Sequence, residues 1–255
     1  MISELQGCNS LEYNIHSFEK NASNNTIVKG EAFTKINVAP TKIYLKLLNG
    51  SDAGTELLYA TGENNNKVVI NAGKWVPTIK LNPLNSMITK NQHHSIFSAG
   101  FGLMLKVVIK AESTADNQHR FDSVFKLDGE TIYNGAKCYV MRIEDNHWQF
   151  TTYKTQAHET VFTVANKLLI SEYAIMRLNG LKDINDDVSN RNINIPSAYA
   201  HSTVLYIDEK TFFPVYQSLY FSKNEEFERY EFAKLQINPE FKSNEFSLKF
   251  PDYGF

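Results

Sequence analysis

The strand pattern of this chain breaks off between Tyr153 and Thr203, and that break limits the folds the chain can adopt. Runs with strand character lie at Cys138 to Ile143 and at Trp148 to Tyr153, and the next begins at Thr203. The residues between them carry apolar side chains at helical spacing. We therefore expect a small helical unit inserted into a β-rich host domain. The predicted division is host residues 1–152, insert residues 153–199 and host residues 200–255.

The early part of the host domain alternates with a period of two. Ile43, Leu45 and Leu47 point to one face, and the polar residues between them point to the other. Asn49-Gly50 supplies the backbone freedom that a tight turn needs before the next strand-like run. This pattern predicts an antiparallel meander with one apolar face.

Two host segments show helical spacing instead. Leu11, Ile15 and Phe18 predict an amphipathic helix near the start. A second helical pattern runs between residues 78 and 111, although Gly100 and Gly102 disfavour helix there. Those glycines either allow close packing or mark a bend. The apolar stripe of the second pattern consists of Phe97, Phe101, Met104, Leu105 and Val108.

Composition excludes several classes of protein. The net charge is -2 and the basic residues are dispersed, so we expect no nucleic-acid partner. No apolar run reaches the roughly 20 residues of a membrane-spanning helix, so any export signal was removed or never existed. Cys8 and Cys138 allow either one disulfide or two free thiols. The oligomeric state stays open.

The titratable residues do not form a catalytic or metal-binding motif. Adjacent His93 and His94 on an extended segment point to opposite faces, and no spacing of the metalloprotease type accompanies them or His119. We expect solvated surface histidines. Asp186-Asp187 lies in a loop, where a turn is the simpler interpretation than a glycosidase pair. We predict no catalytic residues, no metal and no cofactor.

The insert resembles a LysM module. The matching residues are Tyr153, Glu159, Thr160, Val161, Val164, Ala165, Asn179, Ile195 and Pro196. The resemblance implies a strand-helix-helix-strand unit that binds glycans containing N-acetylglucosamine, such as peptidoglycan. The implied groove consists of His158, Glu159, Thr160, Asn179, Gly180 and Leu181. His158 stands where the family usually has glycine, so the alternative is a degenerate module that serves as a structural lid.

The host domain resembles a bacterial envelope family of unknown function, related in fold to the lipoprotein carrier LolA and its receptor LolB. The resemblance rests on residues 38–46, on Ile207-Asp208 with Phe213-Pro214-Val215, and on residues 230–239. It implies an α+β fold in which a curved antiparallel sheet, a half-barrel, packs on helices around an apolar hollow. It also implies a periplasmic location. Aromatic residues that either line that hollow or fill the core are Tyr44, Trp75, Phe97, Phe101, Tyr216 and Phe232.

Three functional hypotheses follow from these patterns. The first is a non-enzymatic envelope protein whose insert binds cell-wall glycan while the host domain holds a lipid or lipoprotein-like apolar ligand. The second is a lipid or lipoprotein carrier whose insert is only structural. The third, an envelope enzyme acting on glycan, is the weakest because it needs a convergent polar cluster that the sequence does not display.

Overall fold

The computed structural model describes residues 1–73, 76–90 and 92–255, and antiparallel strands dominate it. The strands are β1 (Ser10–Lys20), β2 (Ile27–Asn37), β3 (Lys42–Leu47), β4 (Glu56–Ala60), β5 (Val68–Asn71), β6 (Ile79–Leu81), β7 (Phe125–Tyr133), β8 (Ala136–Glu144), β9 (Phe150–Lys154), β10 (Asn192–Pro196), β11 (Ser202–Asp208), β12 (Pro214–Ser222) and β13 (Glu225–Ile237). The α-helices are α1 (Ile2–Gln6), α2 (Ser86–Thr89), α3 (Gly102–Asn117), α4 (Phe121–Val124), α5 (Val161–Leu168) and α6 (Glu172–Asn179).

Eleven of these strands form one sheet. Their order is β6-β5-β4-β3-β2-β1-β13-β12-β11-β8-β7, and every neighbouring pair is antiparallel. The edge strands β6 and β7 are not paired with each other, so the sheet is not closed into a barrel. Side chains from both arms of the sheet line a common cavity, so the sheet is curved. The predicted α+β class, with a curved antiparallel sheet packed on helices, is confirmed.

Helix α3 lies over the concave face of the sheet. Its buried residues Met104 and Val108 join the main apolar core. The helix begins directly after Gly100, whose φ of +79° is a left-handed conformation that glycine adopts without strain. The backbone N–H of Gly100 donates to the hydroxyl of Tyr13 on β1, at 3.0 Å. Gly100 has both predicted roles, because it marks a bend and because a Cβ there would lie only 3.0 Å from Cδ1 of Ile36.

The predicted helix at Leu11, Ile15 and Phe18 is wrong, because this segment is strand β1. Leu11 and Tyr13 are buried in the core with a period of two. Phe18 lies on the other face, where the Arg229 guanidinium stacks 3.9 Å from the ring centroid. Leu11 and Ile15 lie on the inner face of β1 and Phe18 lies on its outer face. Only the combination of the two faces gives the spacing of a helix.

Residues 150–196 form a small unit with its own core. Strands β9 and β10 pair antiparallel, with Tyr153 opposite Ile193, and helices α5 and α6 connect them. The unit begins at Phe150, before the predicted boundary at 153. Its fully buried side chains include Val161, Val164, Ile175, Ile184 and Val188. The assignment of this unit as a LysM module stays a prediction.

Helix α6 fixes the small unit to the large sheet. Tyr173 is fully buried and stacks on Phe227 of β13, with ring centroids 4.9 Å apart. The guanidinium of Arg177 lies 4.3 Å from the ring centroid of Phe221 and pairs with Glu225. The apolar contacts and the ion pair hold the insert against β12 and β13.

Two sequence questions are answered by the structure. Cys8 and Cys138 are both buried free thiols, so they do not pair. Among the described residues, no helix has both the length and the apolar character needed to cross a membrane.

Candidate functional site

The concave face of the sheet and helix α3 enclose an open cavity of about 920 Å3. One arm of the sheet contributes Leu45 and Leu57 to its wall, and the other arm contributes Leu205 and Leu219. Val107 of α3 faces them across the hollow. A concave site of this size with mainly apolar walls is typical of sites for small apolar ligands.

Small residues at the centre of the sheet leave this space empty. Ser17 of β1 is paired with Gly30 of β2, and Ile15 is paired with Ala32. All four residues line the cavity. A Cβ atom on Gly30 would lie 2.6 Å from Oγ of Ser17, so a larger residue there would force a shift. The hollow is therefore encoded in the sequence of the central strands.

The cavity changes from apolar to polar along the central strands. On β1 the residues facing inward are Tyr13, Ile15, Ser17 and Glu19. Their partners on β13 run from Phe232, opposite Ile15, to Glu228, opposite Glu19. Tyr13 and Glu19 are six residues apart, a strand length of about 20 Å. The polar end of the cavity consists of Glu19, His94, Ser95, Tyr199, Glu228 and Tyr230.

His93, behind this polar end, is held by acceptors on both sides of its ring. Nδ1 lies 2.8 Å from Oε1 of Glu228, and Nε2 lies 2.7 Å from the carbonyl oxygen of Lys20. A carbonyl can only accept, so Nε2 carries a proton, and the carboxylate opposite Nδ1 favours a second proton there. The pair is therefore an imidazolium beside a carboxylate. Glu19 accepts the backbone N–H of His93 at 2.8 Å.

His94 lies between two carboxylates. Its Nε2 is 3.4 Å from Oε2 of Glu228 and 3.2 Å from the hydroxyl of Tyr199. Its Nδ1 is 3.4 Å from Oε2 of Glu172, the first residue of α6. That last contact is an ion pair without hydrogen-bond geometry, since both atoms lack a hydrogen-bond partner. His94 thus connects the insert to the host sheet by charge.

These contacts shift the pKa values of the buried groups. Burial alone would lower the pKa of His93, but the hydrogen bond to Glu228 and the charges of Glu19 and Glu228 raise it above 6.5. Burial also opposes the charge of His94, and the carboxylates of Glu228 and Glu172 raise its pKa well above 6.5. Burial would raise the pKa of Glu228, but the two histidines lower it to about 2. These shifts favour the charged forms of both imidazoles and of the Glu228 carboxylate.

The tyrosines of the polar end remain protonated donors. Burial and the charges of Glu228, Glu172 and Glu19 raise the pKa of Tyr199 well above 10. Burial and the charge of Glu19 do the same for Tyr230, whose hydroxyl donates to Oε1 of Glu19 at 2.7 Å.

The prediction of solvated histidines at 93 and 94 is wrong. His93 is 2% exposed, and both side chains reach the same carboxylate, that of Glu228. His93 and His94 lie in a bend rather than in a strand, so the alternation of side chains between two faces does not apply to them. Within residues 1–73, 76–90 and 92–255, no group of three or more His, Cys, Asp and Glu side chains could hold a metal ion.

Of the predicted cavity residues, the structure places Phe232 in the wall. Phe101 packs behind it in the core, with ring centroids 4.8 Å apart. Phe97 is 44% exposed and lies edge-on against Tyr59. Trp75 lies outside the described residues.

Tyr44 and Tyr216 occupy the other face of the sheet, because their strand neighbours Leu45 and Gln217 point into the cavity. The ring of Tyr44 stacks on Tyr253 of the C-terminal segment at 3.7 Å, and Tyr216 stacks on Tyr206 at 4.4 Å. Neither tyrosine lines the hollow, and Tyr44 is instead buried by packing on the opposite face of the sheet.

Several of the predicted glycan residues stabilise the fold of the insert itself. Oε2 of Glu159 accepts the backbone N–H of Gln156 at 2.8 Å, and Oε1 accepts from Lys167 at 2.9 Å. The bond from Gln156 and the charge of Lys167 lower the pKa of Glu159. Thr160 caps helix α5 through a bond from the backbone N–H of Thr163.

The second half of the predicted groove is also structural. Nδ2 of Asn179 donates to the carbonyls of Ile175 and Asn194, and its Oδ1 accepts the N–H of Asn194, each at 2.8 Å. Gly180 ends α6 in a left-handed conformation, and Leu181 packs on the insert core. His158 has a φ of +63°, which explains why glycine suits this position. Glycan binding by these residues stays a prediction.

Sequence reasoning missed most of the polar end. Tyr230 and Phe232 are two residues apart and so share one face of a strand, and extending that alternation by one step identifies Glu228. Glu19 was hidden by the helical interpretation of β1. Ser95 and Tyr199 carried no signal in the sequence, because the fold alone brings them to the cavity.

Comparisons with known proteins identify a sequence family and several solved structures of similar fold but low sequence identity. The family model DUF1571, described as a protein of unknown function, matches residues 16–175. No curated protein sequence matches the chain. The solved structures similar to it include a DUF1329 family protein from Desulfovibrio piger, with 8% identity, coverage of 97% of this chain and 93% of that chain, and a TM-score of 0.38.

Two further structures give similar values. The lipoprotein LppX of Mycobacterium tuberculosis shows 9% identity over 94% of this chain and 92% of its own, with a TM-score of 0.42. A LolA superfamily protein from Nitrosomonas europaea shows 8% identity over 96% of each chain, with a TM-score of 0.36. These scores are too low to transfer a ligand or an activity to this chain.

Proposed function

This chain belongs to the DUF1571 family of proteins of unknown function, and we propose that it is a non-enzymatic binding protein of the bacterial cell envelope that holds an apolar ligand, such as the acyl chain of a lipid or lipoprotein, against the concave face of its sheet. The observation that carries this proposal is the cavity of about 920 Å3 between the sheet and α3. Its wall is apolar over most of its extent, and Gly30, Ala32 and Ser17 keep its centre free.

The shape of the cavity suits a chain-like ligand better than a compact one. The inward-facing residues follow the strands for about 20 Å, from Tyr13 to Glu19. Leu45 and Leu57 line one wall of the cavity, and Leu205 and Leu219 line the other. Burial of an acyl chain contributes roughly 0.8 kcal/mol for each methylene removed from water. An extended chain therefore has enough apolar surface here for stable binding.

Filling the cavity tests this function. The purified protein should bind the apolar fluorophore N-phenyl-1-naphthylamine, and lipid extracted from it should be detectable by mass spectrometry. Ala32→Phe should abolish both, because the added ring occupies the hollow beside Ile15. Ala136→Phe, a matched substitution at the β7–β8 hairpin, should change neither. Equal binding by the wild-type protein and Ala32→Phe would contradict the proposal.

The absence of catalysis is part of the proposal, and the polar end does not argue against it. Both ring nitrogens of His93 and one oxygen of Glu228 are occupied by neighbouring groups, so none of these atoms is free to exchange a proton with a substrate. Turnover of a glycan or ester substrate that disappears in Glu228→Gln, with the fold retained, would contradict this part.

Glycan binding by the insert is the second candidate. What supports it is the strand-helix-helix-strand order of residues 150–196, which the LysM resemblance implies. The exposed side chain of His158 at the strand-to-helix loop would then contact the sugar. Retention on insoluble peptidoglycan that is lost in His158→Asp, and kept in Asn166→Asp on the exposed face of α5, would support it. No retention of the wild-type protein would leave the insert with a structural function.

A further inference from the structure

The polar end of the cavity has hydrogen-bonding capacity that the protein itself uses only in part. Oγ of Ser95 is buried and has no hydrogen-bond partner, although it lies in the cavity wall. The neighbours of Oε2 of Glu228 are distant, with Nε2 of His94 at 3.4 Å and the hydroxyl of Tyr199 at 3.5 Å. A buried polar group without a partner destabilises a protein, so a ligand that donates to Oγ of Ser95 gains affinity, and a shorter bond to Oε2 of Glu228 adds to that gain.

The charge at this end is negative. Three carboxylates, those of Glu19, Glu172 and Glu228, surround the two imidazoles of His93 and His94. Even with both imidazoles protonated, one negative charge remains. A ligand that brought a further negative charge here would meet repulsion in a buried setting, where screening by water is weak.

We propose that the ligand of this cavity is an amphiphile whose inner polar group donates hydrogen bonds and carries no negative charge, that is, a hydroxyl or an amine. This inference rests on the proposed function, in which the apolar walls hold the chain of the same ligand. The donor bonds to Oε2 of Glu228 and to Oγ of Ser95, while the chain extends along β1 and β13 toward Ile15 and Phe232.

The basic side chains in the cavity wall do not reverse this preference. Nζ of Lys110 donates to the carbonyl of Leu168, and Arg120 pairs with Asp145 at 3.0 Å. Lys29 and Lys90 are exposed to solvent. An anionic group would have to displace these bonds or bind at the rim.

Three ligands with the same chain length test the preference. Monopalmitoylglycerol offers hydroxyls, hexadecylamine offers an ammonium group, and palmitate offers a carboxylate. Each is titrated against N-phenyl-1-naphthylamine bound to the full chain. We expect the glycerol ester and the amine to displace the fluorophore at concentrations about tenfold below that of palmitate, as for one charge-assisted hydrogen bond. Equal or tighter binding of palmitate would overturn the inference but leave the apolar site intact. Failure of all three ligands and of the fluorophore would instead refute the proposed function.

Two variants locate the preference at the polar end. Glu19→Gln keeps the shape and removes one negative charge, and its amide can donate to the hydroxyl of Tyr230. In this variant, the ratio between the displacing concentration of palmitate and that of the glycerol ester should fall severalfold. Ser95→Ala should weaken the glycerol ester severalfold and leave palmitate unchanged, whereas Ser222→Ala at an exposed end of β12 should change neither. Discrimination that is the same in the wild-type protein and in both variants would overturn the assignment of the site.

Discussion

Nδ1 of His93 lies 2.8 Å from Oε1 of Glu228, although the two residues are 135 positions apart in the chain. This bond joins the segment before α3 to the centre of the sheet. Both side chains are almost completely buried, so their ionisation is linked to the free energy of unfolding.

The first prediction concerns pH. The pKa of Glu228 falls from 4.5 to about 2 on folding, so its stabilisation is present above pH 4.5 and is lost as the pH falls toward 2. The pKa of His93 is raised above 6.5, so its stabilisation is complete below 6.5 and is lost as the pH rises through the higher folded value. The free energy of unfolding, measured by urea denaturation, should be greatest between about pH 4.5 and 6.5. A stability that rises steadily toward alkaline pH would contradict this.

The second prediction concerns the carboxylate itself. Glu228→Gln leaves a buried imidazolium at His93 without its counterion, so the free energy of unfolding should fall by about 3–5 kcal/mol at pH 6. The control is Glu130→Gln, which breaks an exposed ion pair with Lys137 and should change the free energy of unfolding far less than Glu228→Gln does. Similar losses in both variants, measured by urea denaturation, would show that the buried pair stabilises the protein no more than an exposed pair does.

The third prediction separates structure from glycan binding at Asn179. Its side chain makes three bonds, to Ile175 and to both backbone groups of Asn194. Asn179→Ala should therefore lower stability by about 1–3 kcal/mol and speed hydrogen exchange at the amide of Asn194. Asn166→Ala, which removes one bond on the exposed face of α5, should have a smaller effect. Unchanged exchange at Asn194 would argue against a structural function for Asn179.

The fourth prediction concerns the C-terminal segment. The backbone N–H of Gly254 donates to Oε2 of Glu56 at 2.6 Å, and a Cβ there would lie 2.7 Å from Nδ2 of Asn71. Gly254→Ala should displace this segment and lower the melting temperature, with a loss of about 1–3 kcal/mol. Gly7→Ala, whose Cβ meets only ordinary contacts at 3.6 Å, should not. Equal melting temperatures for the two variants would contradict the tight fit.

The sequence pattern predicted most of the strands of the sheet but few of the residues that line the candidate site. Alternation at Ile43, Leu45 and Leu47 is a local property, and β3 follows it with Leu45 and Leu47 facing the cavity. At β1 the same rule was available, with Leu11, Tyr13 and Ile15 as the inner face, but Phe18 of the outer face imitated a helical repeat.

The polar end could not be predicted, because its members come from distant parts of the chain. His94, Glu172 and Glu228 meet only when the insert docks on β13. A pattern read within one segment places a histidine on one face or another, but it does not identify the carboxylate that will lie opposite. The pairing depends on the strand order, which brings β1 beside β13.

That strand order also has a consequence for synthesis. Strand β13 fills the place between β1 and β12, and it supplies Glu228, Tyr230 and Phe232 to the cavity wall. The hollow therefore cannot form until β13 has been made and paired. Until then the apolar faces of β1 and β12 lack the strand that joins them, a condition that favours association with other chains. Pairing of β13 between β1 and β12 is therefore the step of folding that protects both strands from association with other chains.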